Sequence, residues 1–309
     1  MLALVAAPGL EDGVALQQVE EPRPQSNQAL VEVRAVSLNR GECTALRTAE
    51  PGWRPGWDLA GVVRAGSADG AGPREGARVV GWVPGGAWAE LAAVRADHLA
   101  EVPPAVDLEA ASTLPVAGLT ALGLLALGGD LRGRRVAVTG AAGGVGRFAV
   151  QLARAAGAHV TAIVGRPERA AGLRELGADE VVVGGLEPDG EPFDLILESA
   201  GGASLAAALA RVSATGLVAT FGNSSGEPVT FEPRVFYRKG APTMRGFFVT
   251  WELLGGRIGA RELDSLCRMV ADGRLRVEID RRASWREAGS VIRALMDRRV
   301  AGKAVLTID

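Results

Sequence analysis

Val136-Ala137-Val138-Thr139-Gly140-Ala141-Ala142-Gly143-Gly144-Val145-Gly146 is the stretch around which the chain is organised. Its first four residues are apolar or β-branched and follow the polar pair Arg134-Arg135, so they read as a buried parallel strand. A glycine-rich turn comes next. Val145 to Ala156 then reads as a helix with Val145, Phe148, Ala149 and Leu152 on one face. Strand, glycine turn and helix in that order are the setting of a dinucleotide-binding turn. Ala141-x-Gly143-x-x-Gly146 follows the fingerprint with alanine at its first position. Gly143 lets the main chain approach a pyrophosphate, Gly146 lets helix and strand pack closely, and the helix N-terminus offers N–H groups and a positive dipole end. Gly140, Ala141, Gly143, Gly144, Val145 and Gly146 are therefore candidate cofactor contacts. The alternative is an ordinary glycine-rich strand-to-helix turn, but the residues that follow complete a βαβ unit.

The remaining strands and helices alternate around this unit. His159–Val164, Glu180–Val183, Phe193–Leu197, Gly216–Phe221 and Thr243–Phe248 read as strands, and Pro167–Leu176 and Ser204–Val212 as helices. Alternation of this kind predicts an α/β fold with a doubly wound parallel sheet. Before Asp107 the pattern is different: short apolar or alternating runs at Val14–Glu20, Ala29–Leu38, Leu59–Ala65, Ala77–Trp82 and Trp88–Val94 are punctuated by glycine and proline, which predicts a small β-barrel. Leu108–Leu127 reads as a helix interrupted near Pro115. Arg261–Asp272 and Trp285–Asp297 are amphipathic, and the closing strand Lys303–Ile308 has no place in the α/β order, so the C-terminus is expected to return to the first domain. The expected division is 1–112 for the barrel, 113–250 for the dinucleotide domain and 251–309 for the returning segment.

Composition narrows the function. With 309 residues the chain can bury two cores. Its 34 basic and 36 acidic residues give no electrostatic case for nucleic acid or an anionic membrane. No apolar run approaches the ~18 residues of a membrane span, and Met1–Ala7 lacks the basic flank of a signal peptide. Two cysteines, Cys43 and Cys267, cannot form a disulfide framework and suit a reducing cytoplasm. With only His98 and His159 beside them, and no close spacing, no metal site is expected.

Gly140–Gly146, together with Ser37-Leu-Asn-Arg-Gly-Glu42, Gly56-Trp-Asp-Leu-Ala-Gly-Val-Val63 and Ala301-Gly-Lys-Ala-Val-Leu306, resembles the medium-chain dehydrogenase/reductase superfamily, and within it the zinc-free quinone oxidoreductase branch related to zeta-crystallin. The likeness covers nearly the whole chain. It implies a GroES-like barrel beside a Rossmann sheet, with the active site in the cleft between them. The positions that match the superfamily's catalytic zinc ligands are Asn39, Trp57 and Val116, none of which suits zinc. Without a Lewis acid to ionise an alcohol, the expected chemistry is hydride transfer from NADPH to a small electrophile: a quinone, or an alkene conjugated to a carbonyl.

The resemblance sets Asn39 and Thr120 beside the nicotinamide as catalytic candidates. The alternatives are an Asn39 that caps its own turn and a Thr120 that bonds back to its own helix. The branch's usual aspartate and tyrosine after the asparagine are Glu42 and Thr44 here, so water is expected to supply the proton. Val164-Gly165-Arg166 closes the second strand where an NAD enzyme usually carries Asp or Glu; Arg166 instead favours a 2′-phosphate. Arg169 sits where relatives carry a phosphate-binding lysine, and the alternative is two solvated arginines opening a helix. A tyrosine common in relatives after the third strand is replaced by Val183-Gly184-Gly185. Ser199, Ala200, Gly222, Asn223, Phe247 and Phe248 lie at strand ends and are expected ribose and nicotinamide contacts. Trp53, Trp57, Trp88 and Trp251 are candidates for a flat apolar pocket or for core. A homodimer through the edge strand Thr243–Phe248 is implied. The rival readings are an enoyl or enone reductase of a biosynthetic pathway, and a cofactor-binding protein without turnover.

Overall fold

The computed structural model describes residues 1–309. The chain opens with the hairpin β1 (Leu2–Ala6) and β2 (Val14–Gln18), then runs through β3 (Gln28–Leu38), helix α1 (Arg40–Ala45), β4 (Asp58–Ala65), β5 (Arg78–Trp82), β6 (Leu91–Arg95) and β7 (Leu99–Glu101). Helix α2 (Leu108–Ser112), a π-helical turn over Leu114–Gly118 and α3 (Leu119–Ala126) follow. Next come β8 (Arg135–Thr139), α4 (Gly144–Ala155), β9 (His159–Val164), β10 (Glu180–Val183), β11 (Phe193–Glu198), α5 (Gly202–Arg211), β12 (Val212–Thr220), α6 (Pro233–Tyr237) and β13 (Thr243–Gly246). Helices α7 (Val249–Leu254) and α8 (Ala260–Ala271), strand β14 (Ile279–Ser284), helix α9 (Ala288–Met296) and strand β15 (Lys303–Thr307) complete the chain. It divides into two compact units, Met1–Leu119 with Thr250–Asp309, and Thr120–Val249. No helix is long and apolar enough to cross a membrane.

In the second unit six parallel strands stand in the order β10-β9-β8-β11-β12-β13. The order reverses between β8 and β11, so a crevice opens at their carboxyl ends. Val136, Ala137 and Val138 are fully buried, and each valine so placed contributes about 1.5–3 kcal/mol. Gly140 makes the turn out of β8 at φ +62°, where a side chain is strained. A Cβ on Gly146 would stand 2.5 Å from the Gly140 carbonyl oxygen, so the helix can sit this close to the turn only with glycine.

Three expectations for this unit are corrected. Pro167–Leu176 is not a helix: one 3₁₀ turn, Pro167–Arg169, gives way to successive tight turns. Gly172 at φ +77° breaks the right-handed path. Helix α4 is not one-sided either. Arg147 and Gln151 are buried along with Phe148, Ala149 and Leu152, because the Arg147 guanidinium runs under the turn to the carbonyl oxygens of Ala142 and Ala171. The last strand stops at Gly246 and all four of its residues are exposed, so it forms the sheet's edge. The crossover from β10 to β11, Gly184–Pro192, carries no helix, and a cavity of about 630 Å³ remains between it, α5 and α6.

The first unit is antiparallel apart from one pair. Its sheet runs β14-β15-β3-β4-β5-β7, with β6 also pairing β3. The closing strand β15 lies against β3, Ala304 opposite Leu38 and Thr307 opposite Ala35. That pairing brings Lys303 to the end of β3. Strands β1, β7 and β14 were not foreseen; β7 has three residues and β14 is charged at Asp280, Arg281 and Arg282, so neither shows a sustained apolar alternation. Trp88 and Trp285 are fully buried in this unit's core, with Trp53 packed against it.

Candidate functional site

In the second unit, the expected cofactor residues gather at the carboxyl edge of the parallel sheet. Gly140–Gly146 follow β8, Arg166 follows β9, Ser199 and Ala200 follow β11, Gly222 and Asn223 follow β12, and Phe247 and Phe248 follow β13. The first intrahelical bond of α4 runs from the Arg147 N–H to the Gly143 carbonyl. The N–H groups of Gly144, Val145 and Gly146 therefore stand ahead of the helical ladder, where a phosphate is received. Ala141 is turned inward: its N–H donates to the Ile163 carbonyl at 3.1 Å, tying the turn to β9. Arg166 is exposed at the end of β9 and Arg169 is half-buried. Of the two phenylalanines, Phe247 is buried against Gly123 of α3, whereas Phe248 is 48% exposed.

Beneath this edge lies a group that was not singled out. Glu198 is fully buried and accepts from the Thr139 hydroxyl (3.3 Å), the Ala200 N–H (2.9 Å), the Gly201 N–H (3.0 Å) and the Ser204 hydroxyl (2.9 Å). Ser199 completes the tie between strands: its N–H donates to Thr139 Oγ1 at 2.9 Å and its hydroxyl to the Thr139 carbonyl at 3.1 Å. Ser199 is thus a brace across the switch point. The fit to a dinucleotide rests on the glycine turn and the N–H groups at the start of α4.

In the first unit, Asn39 is the N-cap residue of α1, and the Glu42 carboxyl of that helix takes its N–H. Asn39 Nδ2 donates to Asp58 Oδ2 at 2.8 Å and to Glu42 Oε1 at 3.3 Å, and Oδ1 accepts from Lys303 Nζ at 2.7 Å. Both amide hydrogens are thus engaged within the protein. Glu42 Oε1 also takes the Asn39 N–H (2.7 Å), and Oε2 takes the Trp57 N–H (2.8 Å). Asp58 accepts from the Ser37 hydroxyl (2.7 Å) and the Val116 N–H (2.9 Å). Val116 can give that bond because it follows Pro115 in the π-helical turn, where the helical ladder is interrupted. The three positions matched to metal ligands, Asn39, Trp57 and Val116, are thus all tied to two buried carboxyl groups.

Electrostatics follow from burial. Glu42, Asp58 and Lys303 are 0%, 0% and 3% exposed. Burial, then the neighbouring Asp58, pushes the Glu42 carboxyl up to about 8. Burial also raises Asp58 and lowers the Lys303 ammonium, each opposed by the attraction between them across 3.7 Å. Burial and then Glu42 hold the Cys43 thiol well above its ordinary value, so it is no nucleophile. No group of three or more His, Cys, Asp or Glu side chains is arranged to hold a metal ion. Trp57 is half-buried and its ring lies where a Cβ on Gly41 would stand, 2.6 Å away. Trp251 is 64% exposed. Thr120, the first residue of the second unit, is buried in α3.

Two family models match. One described as "Alcohol dehydrogenase GroES-like domain" covers residues 25–104, and one described as "Zinc-binding dehydrogenase" covers 144–252. The quinone oxidoreductase of Pseudomonas aeruginosa is 31% identical over 238 residues, 72% of each chain. The chain belongs to the medium-chain dehydrogenase/reductase family, in its quinone oxidoreductase branch. Within that family, the acrylyl-CoA reductase of Ruegeria pomeroyi is 36% identical over 198 residues, 58% of this chain and 59% of that one. The fold is that of the Escherichia coli quinone oxidoreductase complexed with NADPH, at a TM-score of 0.85 and 22% identity over 99% of this chain and 100% of that one. The chain is an oxidoreductase.

Asp58 and Lys303 stand inside two stretches that carried the resemblance, Gly56–Val63 and Ala301–Leu306, but nothing local marks them as partners of Asn39. Glu198 was visible as an acidic residue ending an apolar strand, a signal that it is held by hydrogen bonds.

Proposed function

We propose that this chain transfers hydride from NADPH to a quinone or a carbonyl-conjugated alkene without a metal ion. The observation that carries the reading is the state of Asn39, Trp57 and Val116. Two of these side chains offer no metal donor, and the third, with the main-chain N–H groups of the other two, is committed to Glu42 and Asp58. A site built this way has no Lewis acid with which to lower the pKa of an alcohol. An acceptor that is already electrophilic needs none.

NADPH, when bound, supplies the hydride. The chain's own residues do the rest. The N–H groups that open α4 receive the pyrophosphate, and Glu198 holds the β8 and β11 ends that flank it. Arg166, with Arg169, recognises the 2′-phosphate. Asn39 is held rigid by carboxylates, so its part is to shape the nicotinamide's surroundings. Charge arriving on the substrate oxygen falls to the Thr120 hydroxyl and to water, and water delivers the proton. The exposed edge Thr243–Gly246, with Met244 49% exposed, supports a homodimer formed by pairing sheet edges.

The enone reading is favoured as the second by the likeness to an acrylyl-CoA reductase. NADPH oxidation is measured against a panel of quinones and enones, and NADP⁺ reduction against primary and secondary alcohols. Turnover of the first panel alone is expected; turnover confined to alcohols would overturn the reading. Sedimentation at micromolar concentration tests the dimer.

A further inference from the structure

We propose that Lys303 is a positioning residue, a built-in counter-cation that locks the Asn39 side chain and thereby braces the chain positions on either side of it. The proposal rests on the reading of Asn39 as a residue bordering the nicotinamide. It stands on geometry. Lys303 Nζ donates to Asn39 Oδ1 at 2.7 Å and to the Leu38 carbonyl at 3.0 Å. Asn39 then passes the interaction on, through Nδ2, to Asp58 and Glu42.

The charges decide which way the amide points. Turning Asn39 over would set its NH₂ against an ammonium at 2.7 Å and its carbonyl oxygen against a carboxylate at 2.8 Å, donor on donor and acceptor on acceptor. With the ammonium on one side and the Asp58 carboxylate on the other, a single orientation survives.

Lys303 also balances charge. Two carboxyl groups, Glu42 and Asp58, are fully buried, and Lys303 is the buried cation beside them. A buried carboxylate without compensation is expensive. The bonds these carboxyls accept reach the N–H groups of Asn39, Trp57 and Val116 and the hydroxyl of Ser37, which belong to the end of β3, the residue before β4 and the π-helical turn. Neutralising Lys303 therefore loosens all of these segments through one atom. The side chain touches neither NADPH nor substrate in this account; it acts through Asn39.

The chain has three asparagines, Asn27, Asn39 and Asn223, so ¹⁵N-asparagine labelling yields three side-chain NH₂ pairs, with Asn39 assigned by its loss in Asn39→Asp. In the parent protein the Asn39 pair should exchange its hydrogens at least 100-fold more slowly than the exposed Asn223 pair. Exchange at the Asn223 rate would overturn the proposal. This readout needs no substrate, so it stands or falls apart from the proposed activity.

Lys303→Met should restore fast exchange at Asn39 and lower kcat for NADPH-driven quinone reduction at least tenfold, while the Kd for NADPH moves less than twofold. A folded Lys303→Met with parental kcat and slow Asn39 exchange would overturn the proposal. Should that variant not fold, Lys303→Met with Asp58→Asn removes one charge of each sign. The double variant is expected to fold with a mobile Asn39 and low kcat, and parental kcat in it would overturn the proposal. If neither folds, the exchange rate in the parent protein decides.

Discussion

The two units each bury carboxylates near the residues that matter, and they hold them in opposite ways. Glu198 is surrounded by four neutral donors, three of them from residues 200–204 immediately after it. Glu42 and Asp58 share a lysine delivered from the far end of the chain, and the contact that links that lysine to Asn39 spans 264 positions. A carboxylate held by the dipoles of its own turn is a local device: it shapes one loop and needs no other element to be in place. A pair held by a distant cation is formed only once β15 has docked on β3. The first arrangement suits a turn that is shaped by its own residues. The second suits a position that must hold several segments in one register.

The comparison breaks most sharply at Asp58. Asp58→Ala strands Lys303, the Val116 N–H and the Ser37 hydroxyl, and a buried pair that loses one member typically costs about 3–5 kcal/mol. Urea unfolding should show that loss. Glu198→Ala removes no ion pair and leaves hydrogen-bond donors unmet, so about 1–3 kcal/mol is expected, together with weaker NADPH binding. Equal losses at the two sites would show that the lysine adds nothing.

The two sites should also part in their response to pH. Glu42 keeps its proton up to about pH 8 in the folded chain, whereas an unfolded glutamate releases it near 4.5. Between those values the folded state binds the extra proton, so this group's contribution is full below about 4.5 and is lost as the pH rises through about 8. Asp58 is raised and works in the same sense; Lys303, held below its ordinary value by burial, works in the opposite sense at higher pH. Glu42→Gln should therefore flatten the fall of stability over that window, as read by melting temperature against pH. An unchanged slope would place the titration elsewhere.

The smallest effect belongs to Arg166 and Arg169. Arg166→Ala with Arg169→Ala should erase the preference for NADPH over NADH, a difference on the order of fivefold if the contacts resemble surface ion pairs. Titration of both nucleotides into parent and variant measures it. Equal parental affinities would mean that neither arginine meets the phosphate.

Much of the second unit was legible because its signals are local. Buried β-branched runs, a glycine turn and a 3.6-residue period are written within about 20 neighbouring residues. The failures there are local signals overruled. Pro167–Leu176 has helical composition, yet Gly172 turns left-handed and the Arg147 side chain crosses beneath. Among the site residues, Asn39 was located through the residues around it, but its bonds were not, because an amide reads the same whether it faces a ligand or a carboxylate.

By itself the sequence determined that β8, its turn and α4 form a βα unit with the glycine pattern of a dinucleotide-binding turn, that a β-rich region precedes it, and that the positions matched to zinc ligands carry Asn39, Trp57 and Val116. Only the tertiary structure decided that those three positions converge on Glu42 and Asp58, that Lys303 is their cation, and that Asn39 faces inward. The physical reason is range. Periodicity and turn chemistry act between neighbours in the chain, whereas the cost of a buried charge is settled by whatever the fold brings within a few ångströms, and here that is a residue near the other end.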